Sequence, residues 1–465
     1  MAGRLIETLA TTEAFSGVFS DRSVLQAMLE FEAGLARAQA RVGIVPQAAA
    51  DAITAAAKPE GFDSDQLARD GLRAGALPIP FVKALTERVR ASNPAAAGFV
   101  HWGATSQDVA DTALILLLKR AQLILELDLT RLENALRRLA DSHANTVMLG
   151  RTLLQAAPPT TFGLKAAGWL GSVRRGRTRV VSRFAESLMI QFGGATGTLA
   201  SLGPHGVSVG LELAKELGLG FPDAPWHAHR DRLAALMCAC GVLTGSLGKM
   251  ARDISLLMQG EVGEVAEPGG TGRGGSSTMP HKRNPSGCVV ALAAANRVPG
   301  MVASFLSGMV QEQERATGSW QAEWPTVAAL IQATGAAAAS MADVAEGLTV
   351  DVDRMRSNIH ATRGVIFAER AMMLLGEELG RDTAHILLEE ATRRSVLEGR
   401  RLHEVLGEMP EVTRHLDGET LKSLEYPEEY LGSADAFRKR LLSDAGAEAR
   451  DKDEARDKEA RDKKE

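Results

Sequence analysis

Aromatic residues and cysteines are scarce in this chain, and neither sign of charge dominates. Only 4% of the 465 residues are aromatic, whereas alanine, leucine and long charged residues are frequent. This composition favours helices over sheets. The three cysteines have no disulfide-framework or zinc-site spacing, and Cys238 and Cys240 lie in an apolar run, which indicates buried thiols in a reducing compartment. The formal net charge of −5 excludes a chain-wide nucleic-acid-binding surface.

A long apolar run is missing as well. The N-terminus contains acidic residues and no apolar core of signal-peptide length. The longest aliphatic patch, residues 113–118, ends at two basic residues, and no stretch approaches the roughly 20 apolar residues that span a bilayer. We therefore expect a cytoplasmic protein without membrane or nucleic-acid partners.

Apolar residues instead recur at helical spacing over long segments. They predict helices from Ser20 to about Gly43, from Asp108 to about Ser142, over 161–189 and over 229–258. Residues 150–159 read as a turn region between two of these helices. We expect an all-α fold built around an elongated bundle, with more apolar surface than one bundle needs, which indicates oligomerisation.

The same pattern divides the chain into three domains. Residues 1–110 form an N-terminal helical domain, 111–350 a central domain of long helices, and 351–443 a C-terminal helical domain. Residues 444–465 are charged and have no apolar face, so we expect a solvated or disordered tail.

Polar chemistry concentrates in residues 274–285, Gly-Gly-Ser-Ser-Thr-Met-Pro-His-Lys-Arg-Asn-Pro. Preceding glycines widen the backbone conformations open to this stretch, and Pro285 presets the start of a helix. The stretch therefore places Ser276, Lys282 and Asn284 in a loop that can bind a carboxylate. Taken on chemistry alone, a glycine-rich loop that only caps a helix explains the pattern equally well.

Three further segments carry groups that bind anions. His101, Thr105 and Ser106 precede a predicted helix start, where the helix dipole favours anions. Residues 150–155 place a cation and an amide in a turn, and 313–315 place another cation at a helix end. Each segment alone is a weak signal, because buried arginine and glutamine are often structural. No histidine, cysteine and carboxylate cluster has metal-ligand spacing.

Together these segments resemble the fumarase/aspartase/argininosuccinate lyase superfamily. Residues 275–285 are similar to its signature loop, and Thr105-Ser106 and Gly150-Arg151-Thr152 follow in the expected order. The resemblance covers the chain from about Leu25 to Leu431. Within the superfamily, four segments look most like the enzymes that lactonise 3-carboxy-cis,cis-muconate, with the adenylosuccinate lyases as the alternative; these segments are 101–112, 191–197, 225–232 and 311–315.

The resemblance implies a homotetramer with a core of long helices, active sites shared between subunits and a small polycarboxylate substrate. It implies that Ser276 is the catalytic serine with Ser277 beside it, and that Lys282 acts with Asn284 on the substrate carboxylate. The other expected substrate ligands are His101, Thr105, Ser106, Arg151, Gln155, Arg230 and Arg315.

One departure from the superfamily pattern narrows the reaction. Relatives usually have histidine directly after Gly-Arg-Thr, and some cycloisomerases have one three residues later; here these positions are Leu153 and Ala156. An amine or hydroxide leaving group needs a proton in the transition state. A carboxylate is stable as an anion near neutral pH, so cyclisation and its reversal need no acid at that end. The departure therefore favours cycloisomerase over adenylosuccinate-type elimination.

The expected reaction is lactonisation in the protocatechuate branch of the β-ketoadipate pathway, without metal or organic cofactor. One substrate carboxylate adds to an alkene carbon, Lys282 and Asn284 stabilise the ene-diolate that develops, and Ser276 delivers a proton to carbon. A sulfomuconate substrate stays open, because the same arginines could bind a sulfonate. A retired enzyme kept as a structural helical protein also stays open, although the intact loop argues against it.

Overall fold

The computed structural model describes residues 4–270, 273–275, 278–279 and 281–443. The described chain is 69% helical, which confirms the all-α prediction. The helices are α1 Arg4–Glu7, α2 Glu13–Val18, α3 Asp21–Val42, α4 Gln47–Ala56, α5 Ser64–Ala74, α6 Pro78–Ser92, α7 Ser106–Ser142, α8 Phe162–Ser187, α9 Gly206–Leu217, α10 Asp231–Leu257, α11 Ser286–Ser307, α12 Ser319–Glu346, α13 Val352–Ala361, α14 Ala368–Leu379, α15 Arg381–Glu398, α16 Leu402–Leu406, α17 Pro410–Thr413, α18 Gly418–Ser423 and α19 Ala434–Leu442.

Local capping explains where the predicted helices begin and end. The Ser20 hydroxyl accepts a hydrogen bond from the Ser23 N–H at the start of α3, and Gly43 ends the helix with φ of 84°. The long helices α7, α8 and α10 begin within about three residues of the predicted positions, which confirms the helical periodicity. Pro285 directly precedes α11, as its fixed φ predicts.

The prediction of a turn region over residues 150–159 is wrong, because these residues belong to a β-hairpin. Strand β1 spans Val147–Thr152 and pairs antiparallel with β2, Gln155–Thr161, with an irregularity in the register after Leu149. β-Branched residues at both ends of the hairpin favour strands, and the helical period does not extend into this segment. A second pair of short strands joins β3, Val265–Ala266, to β4, Thr349–Val350.

The described residues fall into two compact units, each built from three separate stretches of sequence. The first takes its residues from Met1–Thr130, Arg175–Lys249 and Val289–Met341, and the second from Arg131–Arg174, Met250–Cys288 and Ala342–Glu465. Long helices cross these limits, so chain order and compact units do not coincide. The division into three domains at residues 110 and 350 stays a prediction.

Each unit has its own apolar core. In the first unit, α3 packs against α4 and α9, and Phe15 and Phe31 are completely buried. In the second, one cluster joins α14, α15 and α16, and another joins β1 to α13 through Val147, Leu149 and Ile359. These cores fix the helix ends and strands that carry the polar residues described below.

The cysteine prediction is confirmed for one member of the pair and not for the other. Cys240 is buried, and burial raises the pKa of its thiol to about 12, whereas Cys238 is only half-buried. A thiol with so high a pKa has little of the reactive thiolate near neutral pH, so Cys240 acts as a small apolar residue.

The expectation that no segment is long and apolar enough to span a bilayer is wrong for three helices. α10, α11 and α12 reach mean hydropathies of 1.5, 1.5 and 1.3 over 18 residues. Alanine and glycine make these segments apolar without long runs of large aliphatic residues. Within the fold, 61% of the α10 window and 67% of the α12 window are buried, but only 22% of the α11 window is.

Candidate active site

His101 lies in a turn whose backbone enters the left-handed region. Its φ is 60° and that of Gly103 is 76°, a conformation that residues with a Cβ rarely adopt without support. Helix α3 supplies this support, because Glu32 Oε1 lies 2.6 Å from His101 Nδ1 and Gln39 Nε2 donates to the Trp102 carbonyl at 2.6 Å. The turn therefore holds a half-buried imidazole just before α7.

Arg315 joins the hydroxyls at the N-terminus of α7. Its Nη1 donates to Thr105 Oγ1 at 2.8 Å and its Nη2 donates to Ser106 Oγ at 3.0 Å. Its Nε donates to Gln107 Oε1 at 3.3 Å. All three acceptors are uncharged, and within the described part of the chain Arg315 forms no ion pair with a carboxylate. Its positive charge and the N-terminus of α7 thus meet at one place, which suits an anion.

Asp108 ties this helix start to two other segments of the first unit. Its carboxylate is fully buried and accepts hydrogen bonds from the backbone N–H groups of Gly193 at 3.0 Å and Gly194 at 2.9 Å. His227 Nε2 lies 2.7 Å from Asp108 Oδ1, and the Thr105 N–H donates to Oδ2 at 3.0 Å. Asp108 is therefore a positioning residue, which the motifs did not predict, although its spacing from Thr105 is that of a helix cap.

Arg230 is placed differently from the substrate ligand that we expected. Its side chain is 0% exposed, and it bonds Asp111 at 2.7 and 3.0 Å and Glu323 at 2.5 to 3.1 Å. Trp226 stacks on the guanidinium with 4.6 Å between its carbon and the ring centroid. Two carboxylates and an aromatic ring surround this guanidinium. It could bind a substrate carboxylate only if these buried contacts were broken.

The buried network around Arg230 contains more carboxylates than cations. One guanidinium faces two carboxylates, Asp111 and Glu323, which leaves an excess of negative charge in a buried site. Burial is the largest influence on Glu323 and raises the pKa of its carboxyl group, although the pairing with Arg230 opposes the shift. The pKa of Arg230 is raised despite burial by the same two carboxylates, so the guanidinium stays charged.

In the second unit, Arg151 lies near the tip of the β-hairpin, where it pairs with Ala156. Its guanidinium donates to the buried Glu264 carboxylate at 2.6 and 3.0 Å, and Asn358 donates to the same carboxylate at 2.7 Å. Unlike Arg230, the Arg151 side chain keeps 25% of its surface exposed. Arg151 is therefore oriented by a structural partner and still offers an accessible edge.

The tip of the hairpin is apolar and conformationally unusual. Leu153 and Leu154 have φ of 50° and 66°, and Leu153 is 97% exposed. Gln155, the expected amide ligand, begins β2 and is exposed. Two leucines in the left-handed region cost conformational energy, and such strain is typical of functional sites.

Ser276 and Ser277 lie outside the described residues. The described residues on either side of them, Gly274, Gly275 and Asn284, are joined by hydrogen bonds. The Asn284 N–H donates to the Gly274 carbonyl at 2.8 Å, and Asn284 Nδ2 donates to the Gly275 carbonyl at 3.4 Å. Gly274 has φ of 63°, and a Cβ there would lie 2.7 Å from the Asn284 carbonyl oxygen. Only glycine fits at this crossing. Lys282 is exposed.

The structure thus groups the expected residues in two sets. His101, Thr105, Ser106 and Arg315 adjoin the start of α7 in the first unit, whereas Arg151, Gln155, Lys282 and Asn284 belong to the second. Within the described ranges, no group of three or more histidine, cysteine or acidic residues has the geometry to hold a metal ion.

Comparison with known proteins shows that the chain is similar to lyases. The family described as Lyase matches residues 7–300, and the family described as adenylosuccinate lyase C-terminus matches residues 364–441. A 3-carboxy-cis,cis-muconate cycloisomerase of Bradyrhizobium diazoefficiens is 48% identical over 438 residues, covering 94% of this chain and 97% of that protein.

Two other similar proteins bear on the chemistry. A nitrosuccinate lyase of Streptomyces davaonensis is 45% identical over 423 residues, covering 89% of each chain. The crystal structure of 3-carboxy-cis,cis-muconate lactonizing enzyme from Pseudomonas putida superimposes with a TM-score of 0.90 at 45% identity, covering 95% of this chain and 98% of that one.

Proposed function

Because the chain belongs to the lyase family that matches residues 7–300, we propose that it is an enzyme that cyclises 3-carboxy-cis,cis-muconate to 4-carboxymuconolactone. The observation that carries this substrate is the 48% identity, over nearly the whole of both chains, to the Bradyrhizobium cycloisomerase. The exposed Leu153 at the hairpin tip agrees with it, because this position offers no acid for a basic leaving group.

In the proposed reaction, a substrate carboxylate oxygen forms a bond to the neighbouring carboxyl-bearing alkene carbon. The alkene electrons move to the adjacent carbon and into its carboxylate, which becomes an ene-diolate. Lys282 and Asn284 stabilise this charge, and removing one such donor typically costs about 10²–10³ in rate. Ser276 then gives its hydroxyl proton to the carbon and regains a proton from solvent, so one proton is consumed per lactone.

Arg315 is the best supported ligand for a second carboxylate. Its fork is fixed by neutral oxygens of Thr105, Ser106 and Gln107, so its charge is oriented without being neutralised. The remaining proposed ligands are His101, Thr105, Ser106, Arg151 and Gln155. We assign Arg230 a structural role instead, since Asp111 and Glu323 already surround it.

We also infer that copies of the chain associate, as a tetramer with shared active sites. Helix α11 is apolar, yet only 22% of its most apolar window is buried within one chain. Helix α7 exposes Leu123 and Leu127, which lie on one face. Oligomerisation would cover these surfaces, and it would explain apolar helices in a protein that we propose to be cytoplasmic.

One set of parallel assays tests the proposed reaction. The purified protein should consume 3-carboxy-cis,cis-muconate, followed by ultraviolet absorbance, and should not cleave adenylosuccinate. Ser276→Ala should lower lactone formation by several orders of magnitude and leave the fold intact. Ser277→Ala, at the adjacent hydroxyl, is the matched variant for comparison with Ser276→Ala.

The same assays include two further substrates. 3-Sulfomuconate tests whether a sulfonate replaces one carboxylate. Nitrosuccinate tests the elimination named for the Streptomyces relative, which expels nitrite, an anion that needs no general acid. Faster turnover of nitrosuccinate than of carboxymuconate would overturn the proposed substrate. The proposed mechanism would be overturned if neither serine variant lost its activity.

A further inference from the structure

A buried carboxylate of α3 contacts the imidazole that we expect to meet the substrate. Glu32 is only 1% exposed, and its Oε1 lies 2.6 Å from His101 Nδ1. No local motif connects the two residues, which are 69 positions apart in sequence. Burying a carboxylate is costly unless a partner holds it, so this contact is a specific feature of the fold.

The contact also leaves part of the carboxylate unused. Glu32 Oε2 is buried and has no hydrogen-bond partner among the described residues. An unsatisfied buried acceptor costs roughly 1–3 kcal/mol, and more when it is charged, which an apolar residue at this position would avoid. A residue whose removal would relieve strain in the fold is a candidate for a role in function.

The imidazole itself is fixed in orientation and only partly covered. The left-handed turn at His101 is held by Glu32 and, one residue on, by Gln39, which bonds the Trp102 carbonyl at 2.6 Å. The His101 side chain keeps 16% of its surface exposed. Because Nδ1 is taken by Glu32, Nε2 is the ring nitrogen left for a ligand.

Two acidic groups act on this ring from the elements around it. Burial alone would lower the pKa of His101, but the charge and hydrogen bond of Glu32, together with the charge of Asp108 on α7, raise it above its usual value. The raised pKa extends the imidazolium, whose Nε2–H is a positively charged donor, to higher pH than in an unperturbed histidine.

We propose that Glu32 is a positioning residue that holds His101 as an imidazolium, so that Nε2–H donates to a substrate carboxylate. This inference rests on the proposed polycarboxylate substrate and adds a residue that no motif of the chain contains. Glu32 itself does not touch the substrate; it acts through the charge and orientation of His101.

The first test measures the protonation of His101 directly, by NMR titration of the histidine-labelled protein with His101→Gln to assign the signal. The wild-type pKa should lie above the usual value, and Glu32→Gln should lower it because the charge and the hydrogen bond of Glu32 are removed. Glu30→Gln is the control on the same helix, since Glu30 pairs with Arg120 and not with His101. An ordinary wild-type pKa, or no change in Glu32→Gln, would overturn the inference.

The second test uses binding and turnover. In Glu32→Gln the alkaline limit of kcat/KM for carboxymuconate should move to lower pH together with the His101 pKa, and KM should change more than kcat. In a His101→Gln background, Glu32→Gln should add less than about threefold, because the two residues act as one unit. If the losses of kcat/KM in the two single variants multiply in the double variant, and the pH profile of Glu32→Gln is unchanged, Glu32 is merely structural.

Tricarballylate, a stable tricarboxylate, separates failure of this inference from failure of the proposed reaction. Its affinity for the wild type should fall as pH rises through the His101 pKa, and this dependence should shift in Glu32→Gln. Such a result in a protein that does not turn over carboxymuconate would uphold the role of Glu32 and reject the reaction. If the affinity for tricarballylate does not change as pH passes through the His101 pKa, the proposed role of Glu32 is overturned even if lactone forms.

Discussion

Glu267 and Cys288 are joined by a hydrogen bond from the Cys288 N–H to the Glu267 carboxylate, at 2.8 Å. The same carboxylate accepts the Gly287 N–H at 2.9 Å. Glu267 lies just before the glycine-rich loop, and residues 287 and 288 form the first turn of α11 just after it. A buried carboxylate thus caps the helix and ties together the two ends of the segment that contains Ser276.

We predict that Glu267→Ala lowers both stability and turnover. Two charge-assisted hydrogen bonds to a helix N-terminus are lost, which costs about 2–4 kcal/mol in the free energy of unfolding. The ends of the loop are released as well, so kcat should fall by about 10- to 100-fold. Urea denaturation and steady-state kinetics measure the two effects, with Glu261→Ala, an exposed acid on the same connection, as control. Unchanged kcat would show that the cap does not position the loop.

Arg315 provides the second prediction. Arg315→Lys keeps the charge but loses the fork that meets Thr105 and Ser106, and Arg315→Gln loses both. We expect KM for carboxymuconate to rise by about 10-fold in the first variant and by about 100-fold in the second. Arg73→Gln, a substitution of an arginine whose side chain is 78% exposed, is the control. Equal, small effects of both Arg315 variants on KM would remove Arg315 from the substrate ligands.

Arg230 should behave in the opposite way, since its effect is on stability. Arg230→Met leaves Asp111 and Glu323 buried without their cation, and breaking such a pair costs about 3–5 kcal/mol. Adding Glu323→Gln should recover part of this loss, because it removes one of the stranded charges. Arg22→Met, which breaks a solvent-exposed ion pair with Glu60, should change the free energy of unfolding far less. A stable Arg230→Met protein with a greatly raised KM would restore Arg230 as a ligand.

The helices were predictable from sequence because their signals are local. Ser20 and Gly43 bound α3 as a cap and a left-handed stop, and the apolar period carries through α7 without interruption. The hairpin at β1 and β2 was missed because the segment is short and contains two prolines, which read as a turn. Its leucine tip, with φ of 50° and 66°, has no glycine or asparagine to mark it.

The sequence motifs predicted candidate site residues, but not their structural partners. Thr105 and Ser106 were found together, and their motif leads directly to Asp108. Glu32 and the structural use of Arg230 were not predictable, because their partners are distant in sequence and depend on how the helices pack. Arginine in a recognisable segment gives the same signal whether it binds a substrate or two buried carboxylates.

The exposed face of α7 gives the last prediction. Leu123 and Leu127 are 68% and 64% exposed and lie one turn apart, so a single helix surface presents both. If copies of the chain cover this surface, replacing both leucines by glutamate introduces charges into an apolar contact and should dissociate the oligomer. Because we propose shared active sites, kcat/KM should fall in parallel with the oligomeric fraction in sedimentation velocity. Leu397→Glu, at a comparably exposed position on α15, is the control. Dissociation without loss of activity would place the whole active site within one chain, and an intact oligomer would exclude this face as the contact.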